Sequence, residues 1–398
     1  LPSGGIALTL LVLAVLTAIF AILYAFQADD WRELLSLSTA ENAGVACAAL
    51  AAALMFRHAG LSALAGLGWL VALIHLAGHS LAKGTLFLTA DGIRHFTHGY
   101  RLSPRGALRR SPWFMGAGAL VAAMSLAAMP PTAGFVSEWF VFQTVFQGFH
   151  LPGITGPMML AIAGAGLALT AAVALATFIK VMGIGLLGDG DAVGPAVRPH
   201  YTAAVGILGT AVLLTAVSMP WLLPLLDGAV AAAVPGAGAR ALRDGLVLVP
   251  LTSHFAFISP TMLIVVGPLL ALLPLGLWWG SGTRVRRTPV WYGGLPRQSP
   301  RVITTPLAFS NALRTFYSMV YRPRQDVRTE HIDQRYFLRR LSFDHDVAPI
   351  FGPLVFRPAQ RLAYGVAARL QRLQSGHLNF YLALIGLMLV LILLLPLF

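Results

Sequence analysis

Lysine, cysteine and charge are scarce in this 398-residue chain. Only two of its 28 basic residues are lysines, its one cysteine is Cys47, and charged residues make up 11% of the chain. A single cysteine excludes a disulfide framework and a cysteine-based metal site. Few charges, 57% hydrophobic residues and a mean hydropathy of +0.75 exclude a water-soluble globule. The composition therefore indicates a polytopic helical membrane protein.

Eight segments are long and apolar enough to cross a bilayer, which predicts an all-α protein of about eight transmembrane helices. They are residues 5–28, 34–56, 61–92, 112–147, 157–187, 201–226, 260–280 and 377–398. The fourth is too long for one regular helix and contains Pro130 and Pro131, which remove two backbone donors. We predict a broken helix there, with Gly134 just beyond it. Such a break is tolerated only where it is buried in protein or lines a hydrated cavity.

Arginine is distributed unevenly over the predicted loops. If residues 281–376 are cytoplasmic and the spans alternate, 23 of the 26 arginines lie inside, against Arg57, Arg240 and Arg243 outside. We predict a membrane domain at 1–280, a basic cytoplasmic or interfacial segment at 281–376, and a terminal transmembrane helix at 377–398 that ends outside. The basic segment should carry amphipathic helices at 306–321 and 355–373. Topology and anionic lipid headgroups explain its charge without a nucleic-acid partner.

Both lysines lie within predicted spans, where a charge costs about 2.5–3.5 kcal/mol on insertion scales. Lys83 follows His75 and His79 at i, i+4 and i+8, a spacing that stacks all three on one helical face. Histidine and a desolvated lysine exchange protons readily, whereas arginine stays charged. We predict that the three residues form a proton relay. The alternatives are a satisfied histidine pair with a lysine that extends to the interface, and a zinc site that lacks a third ligand.

Five further ionisable residues are candidates. Glu138 follows the double proline and would exchange protons with water there, unless it forms a fixed ion pair. Lys180 lies in the inner half of its span and joins the predicted relay, unless its side chain extends to the interface. Asp30, Arg32 and Glu41 are grouped with a short inside turn as possible proton-access or coupling residues. A solvated loop with local ion pairs is the alternative for that group.

Three motifs resemble those of the proton-conducting, antiporter-like subunits of respiratory complex I and Mrp antiporters. His75-Leu-Ala-Gly-His79-Ser-Leu-Ala-Lys83-Gly-Thr-Leu-Phe87 resembles that family's His-x-x-x-His-x-x-x-Lys-x-x-Leu-Phe motif. Residues 30–44 are similar to its Asp-Leu-Lys-Arg-Leu-Leu turn, with Arg32 in place of the lysine. Residues 130–138 are similar to its broken helix. The segment around Lys180 and the tail, with Trp291-Tyr-Gly-Gly, resemble the group of hydrogenase-4 component B and formate hydrogenlyase subunit 3.

The resemblance implies a subunit that moves protons when it is coupled to electron transfer elsewhere in a complex. That complex would be hydrogenase-4/formate hydrogenlyase-like or NADH-quinone oxidoreductase-like. By position, His75, His79 and Lys83 match the central relay, and Glu138 matches the exit-side switch. The family builds two inverted five-helix repeats. This chain would carry the second repeat, so we interpret it as the C-terminal part of a longer protein.

The same resemblance leaves an Mrp-type cation/proton antiporter subunit and a structural membrane anchor as alternative functions. The sequence contains no phosphate-binding glycine loop, metal cluster or flavin fingerprint. We therefore predict a non-catalytic subunit that has no cofactor, metal or redox site of its own. Its expected partners are other membrane subunits, a peripheral electron-transfer arm and the lipid bilayer. The expected location is the inner (plasma) membrane.

Overall fold

A computed structural model describes most of the chain. The described residues are 4–102, 106–188, 196–231, 243–244, 246–249, 259–282, 304–331, 338–348, 350–373 and 376–394. The chain divides into two compact units, Leu1–Ala312 and Leu313–Phe398. The predicted motif that begins at Trp291 and the outside arginine Arg240 lie outside the described residues.

The first unit is built from apolar helices. They are α1 Gly4–Gln27, α2 Trp31–His58, α3 Ser62–Thr97, α4 Trp113–Leu126, α5 Ala133–Phe146, α6 Thr155–Lys180, α7 Pro199–Val217, α8 Met219–Ala231 and α9 Pro260–Gly280. A π-helical turn, Val181–Leu186, extends α6, and the two-residue strands β1 (Arg243–Asp244) and β2 (Val247–Leu248) pair before α9. Six described helices are long and apolar enough to span a membrane: α1, α2, α3, α6 with its extension, α7 and α9. The predicted class, an all-α polytopic membrane protein, is confirmed.

One predicted span is divided in the structure. The sequence predicted a single helix over 201–226, but α7 ends at Val217 and α8 begins at Met219. Pro220 has no backbone N–H to donate into the preceding turn, which explains why the helix does not run through. Ser218 joins the two pieces, since its carbonyl accepts hydrogen bonds from Trp221 and Leu222.

The break between α4 and α5 lies where the double proline predicted it. Ala128 has a positive φ of 50°, a left-handed conformation that ends the helical path after α4. The first turn of α5 then packs directly on the last turn of α4. The backbone N–H of Gly134 donates to Ser125 Oγ at 3.0 Å, and a Cβ on Gly134 would lie 1.8 Å from Ser125 O. Only glycine fits this approach of two backbones.

Small residues also bring whole helices together. A Cβ on Gly44 of α2 would lie 2.6 Å from the carbonyl oxygen of Ala14 in α1. In the same way, a Cβ on Gly118 of α4 would lie 2.3 Å from the carbonyl oxygen of Val205 in α7. Close backbone approach of this kind is how membrane helices gain packing energy when lipid supplies no hydrophobic drive. Such approaches join α1 to α2 and α4 to α7.

The remaining helices and strands belong to the basic segment and the tail. α10 (Pro306–Phe316) begins in the first unit and ends in the second. The second unit continues with α11 (Ser318–Tyr321), an antiparallel hairpin of β3 (Arg324–His331) and β4 (Leu338–Asp346), α12 (Arg357–Leu373) and α13 (Leu378–Leu394). The hairpin was not predicted from the sequence, because its polar strands lack a clear apolar alternation. Helices do occupy the two segments predicted to be amphipathic.

Candidate functional site

The three groups of the predicted relay form one buried stripe on α3. His75, His79 and Lys83 are 1%, 9% and 5% exposed. The two imidazole rings are stacked, with centroids 6.4 Å apart and planes at 23°. Since α3 has 36 residues, it is about 54 Å long, and the stripe occupies about 12 Å at its middle. The stripe therefore faces the protein interior near the centre of the helix.

His75 connects the stripe to the broken helix. Its Nδ1 lies 3.1 Å from Ser137 Oγ, and that hydroxyl donates to the carbonyl of Gly134 at 3.0 Å. A serine hydroxyl has one proton to donate, so Nδ1–H of His75 is the donor to Ser137. In the neutral imidazole, Nε2 is then the free acceptor. The hydrogen-bond chain from His75 leads to the first turn of α5.

The polar side-chain atoms of His79 and Lys83 are buried without a hydrogen-bond partner among the described residues. Neither ring nitrogen of His79, nor Lys83 Nζ, has a hydrogen bond within the part of the chain that the structure describes. Lys83 Nζ lies 5.8 Å from the ring centroid of Phe178, over its face. Buried polar groups are normally hydrogen-bonded, and ordered water supplies the bond where protein does not. The stripe is polar enough to hold such water.

Glu138 lies beside this stripe, in the second turn of α5. It is 9% exposed, and no ion pair joins it to a cation among the described residues. The break is held against α3 at Gly78, where a Cβ would lie 3.2 Å from Ala133 Cβ. Gly78 lies between the two histidines in sequence. The structure thus packs the first two turns of α5, which carry Glu138, against the helix that bears the stripe.

Lys180 is the last residue of α6, and its side chain contacts the carboxyl end of α1. The side chain is fully buried, and Nζ donates to the carbonyls of Phe26 at 2.5 Å and Ala28 at 2.8 Å. Asp29 Oδ1 is 3.6 Å away. These carbonyls are the ones a helix end leaves unpaired, and a cation is favoured there by the helix dipole. The described contacts of Lys180 are therefore with the turn between α1 and α2, where its hydrogen bonds cap the end of α1.

We expect Lys180→Met to lower stability more than Asp29→Asn. The methionine leaves two buried carbonyls without their donor, at roughly 1–3 kcal/mol for each unsatisfied group. The Asp29 side chain is 44% exposed and can turn to water, so its loss should cost about 1 kcal/mol or less. Thermal unfolding of the purified chain in detergent measures both. Equal unfolding temperatures for the two variants would contradict the assignment of Lys180 as a helix-end cap.

Asp30 and Arg32 form a local pair at the amino end of α2. Asp30 Oδ1 accepts from the backbone N–H of Arg32 at 2.8 Å, and the guanidinium bonds both carboxylate oxygens at 3.1 Å. Partial burial pushes the pKa of Asp30 upward, but the hydrogen bonds from Arg32 outweigh it and hold that pKa below its usual value. The Arg32 guanidinium also lies 4.7 Å from the Tyr100 ring centroid. The Arg32 side chain is exposed, and that of Asp30 is partly buried.

Glu41 is separate from this turn, although the sequence grouped it there. It lies eleven residues after Asp30, about 16 Å along α2, and is 2% exposed. It is within electrostatic range of Lys83 and Glu138. The spacing of Ser38, Glu41 and Asn42 at i, i+3 and i+4 places them on the buried face, and that signal was available in the sequence. Ser137 and Phe178 could not be found this way, because their partners are on other helices.

Comparisons with known proteins show what the chain is similar to. Residues 2–164 match the family described as NADH:quinone oxidoreductase/Mrp antiporter, TM. Hydrogenase-4 component B of Escherichia coli (strain K12) is 29% identical over 387 residues, which are 94% of this chain and 56% of that protein. Formate hydrogenlyase subunit 3 of the same strain is 31% identical over 310 residues, 75% of this chain and 48% of that protein. The chain spans about half the length of these relatives.

One solved structure shares the fold over nearly the whole chain. A chain of the membrane-bound sulfane sulfur reductase, an archaeal respiratory membrane complex, superposes with a TM-score of 0.60 at 19% identity. The match covers 97% of this chain and 56% of that one. At this identity the likeness establishes the fold.

Proposed function

We propose that the chain, whose residues 2–164 match the NADH:quinone oxidoreductase/Mrp antiporter membrane family, is a proton-translocating subunit of a redox-driven membrane complex. The observation that carries this proposal is the stripe of His75, His79 and Lys83 at the centre of α3, buried beside the broken helix that bears Glu138. Ionisable residues inside membrane helices are costly, and they mark ion pathways and proton relays. Hydrogenase-4 and formate hydrogenlyase-like assemblies, or an NADH-quinone oxidoreductase-like one, are the proposed complexes.

The contacts support a stepwise transfer along the stripe. Lys83 has no described acceptor that fixes its proton, so it can alternate between ammonium and amine. His79 and His75 each have a ring nitrogen free to take a proton and, with water, pass it on. The bond from His75 to Ser137 directs the path toward Glu138, from which the proton leaves. A change in the local field from a neighbouring subunit would bias Lys83 between its two states.

The inner end of the bundle is the proposed site of proton access or coupling. Lys180 is a fixed cation facing Asp29, and Asp30 with Arg32 lies at the next turn. The backbone bonds between Trp31 N and Tyr100 O, and between Leu102 N and Asp29 O, join this turn to the segment after α3. A displacement of the turn between α1 and α2 would therefore also displace the segment after α3. Arg32 stays charged and cannot itself carry a proton.

The proposed orientation places this end in the cytoplasm. The arginine asymmetry supports a basic segment at 281–376 inside the cell and a C-terminus outside. The inner (plasma) membrane is the proposed location. Electron transfer would be carried by other subunits and a peripheral arm, and this chain would supply neither a cofactor nor a redox site.

A second candidate function is an Mrp-type cation/proton antiporter subunit. The matched family includes Mrp antiporters by its own description, and the stripe and the break serve either function. Sodium dependence separates the two. Proton uptake by sealed vesicles that is driven by an electron donor and unchanged when sodium is omitted supports the redox-driven pump.

We expect His75→Ala and His79→Ala to abolish redox-driven proton uptake into sealed inverted vesicles containing the assembled complex. Each removes a group that holds a transferred proton at the centre of the stripe. His200→Ala is the matched control, since His200 is exposed at the amino end of α7. Electron transfer should continue in all three variants. Full proton uptake in both histidine variants would instead favour a structural anchor.

A further inference from the structure

His75 has a glutamate next to each of its two polar neighbours. On one side it bonds Ser137, which precedes Glu138. On the other side its ring lies by the backbone of Asn42, which follows Glu41. The imidazole therefore sits where α2, α3 and α5 meet, with one carboxyl group arriving from α2 and one from α5. The sequence motifs of the relay include only the second.

Glu41 is held in place by its own helix. The amide of Asn42 donates to Glu41 Oε2 and also to the carbonyl of Ser38, at 2.9 Å for the latter. The Ser38 hydroxyl is fully buried and has no hydrogen-bond partner among the described residues. The helix thus presents an oriented carboxylate, with a hydroxyl one turn away, on its buried face. A surface ion pair does not explain the presence of Glu41, because its side chain is only 2% exposed.

The charges of the buried region do not balance when every group is ionised. Glu41 is within electrostatic range of both Glu138 and Lys83, which gives two carboxylates for one ammonium. Among the described residues, His75 and His79 also face this region. An uncompensated charge in a low-dielectric interior is strongly unfavourable, and two neighbouring carboxylates share a proton rather than both ionise. One carboxyl group of the pair must therefore hold a proton while Lys83 is charged.

We propose that Glu41 is a second proton-carrying carboxyl group of the site, paired with Glu138 across His75 and positioned by Asn42. The inference rests on the proposed proton-translocating function and adds a residue to its path. When Lys83 releases its proton to Glu41, an N–H bond breaks, an O–H bond forms, and both groups become neutral. Glu138, which held the shared proton, then releases it, and the proton of Glu41 passes through His75 to the Glu138 carboxylate. This transfer ionises Glu41 again, and reprotonation of Lys83 restores the starting state.

The test uses Glu41→Gln, with Glu33→Gln as the matched control on the exposed side of the same helix. Proton uptake by vesicles containing the whole complex should fall by about a hundredfold in Glu41→Gln, the scale on which a positioned proton-transfer group acts. It should stay at the parent level in Glu33→Gln. Glu41→Asp keeps a carboxyl group and should restore part of the rate. Uptake at the parent rate in an assembled Glu41→Gln complex would overturn the inference.

Infrared spectra of the full chain in nanodiscs detect protonated carboxyl groups directly. A purely structural role of Glu41 would not change this signal. The carbonyl stretch of protonated carboxyl groups should shift in heavy water and should persist when Glu138→Gln is combined with Lys83→Gln, because Glu41 then has no ammonium beside it and holds the proton. Its absence from that double variant overturns the inference even if Glu41→Gln does not assemble. Loss of uptake in the histidine variants with normal uptake in Glu41→Gln leaves the proposed function standing and removes only Glu41 from it.

Discussion

Replacing Lys83 with arginine is expected to stop redox-driven proton transport while the chain remains folded in its complex. Arginine keeps the positive charge beside Glu41 but does not release its proton in a protein. Lys83 Nζ has no hydrogen bond to a described residue, so the substitution removes titration rather than a fixed contact. The drop in proton uptake should be about a hundredfold, since a group that cannot lose its proton cannot relay one.

Two comparisons make this result specific. Arg57→Lys exchanges the same two residue types at the exposed end of α2 and should leave uptake unchanged. Lys83→Gln controls for size, because glutamine fits beside Phe178 even if the larger guanidinium does not. This variant should also lose proton uptake. Proton pumping at the parent rate by an assembled Lys83→Arg complex would reject a titrating Lys83. It would leave the lysine as a fixed charge.

Gly134→Ala should strongly destabilise the chain. An alanine Cβ would lie 1.8 Å from the carbonyl oxygen of Ser125 and 2.7 Å from its carbonyl carbon, so backbone must move. Overpacking costs about 1–3 kcal/mol, and backbone atoms yield less than side chains, which places this variant at the upper end or beyond. Displacing the bond from Gly134 N to Ser125 Oγ adds about 1 kcal/mol. Thermal unfolding in detergent measures the loss.

Gly116→Ala is the control within the same broken helix. Its Cβ would meet nothing closer than 3.8 Å, at Leu108 Cδ2, and alanine favours a helix over glycine. Its unfolding temperature should equal or exceed that of the parent. Proton uptake should fall in Gly134→Ala, because Ser137 and Glu138 follow the same turn that the clash displaces. An unfolding temperature at the parent value would show that the two backbones do not approach this closely.

Features decided by neighbouring residues were predictable from the sequence. Composition and run length predict the membrane helices, because a segment must bury its own backbone polar groups to cross lipid. The double proline predicts the break between α4 and α5, since it removes hydrogen-bond donors wherever the helix packs. The spacing of His75, His79 and Lys83 fixes their common face. Pro220 carried the same kind of signal for the division at Ser218, but the apolar run through 201–226 concealed it.

Features decided by distant residues were not predictable in this way. Lys180 is held by carbonyls of Phe26 and Ala28, more than 150 positions earlier, and its sequence neighbours do not indicate that partner. The placement of Glu41 beside the stripe depends on how α2 packs against α3 and α5. The chain by itself determined which groups are buried and on which helical face they lie, because those follow from local geometry. Only the packing of helices decided which buried charges meet, because electrostatic partners are set by distance in space.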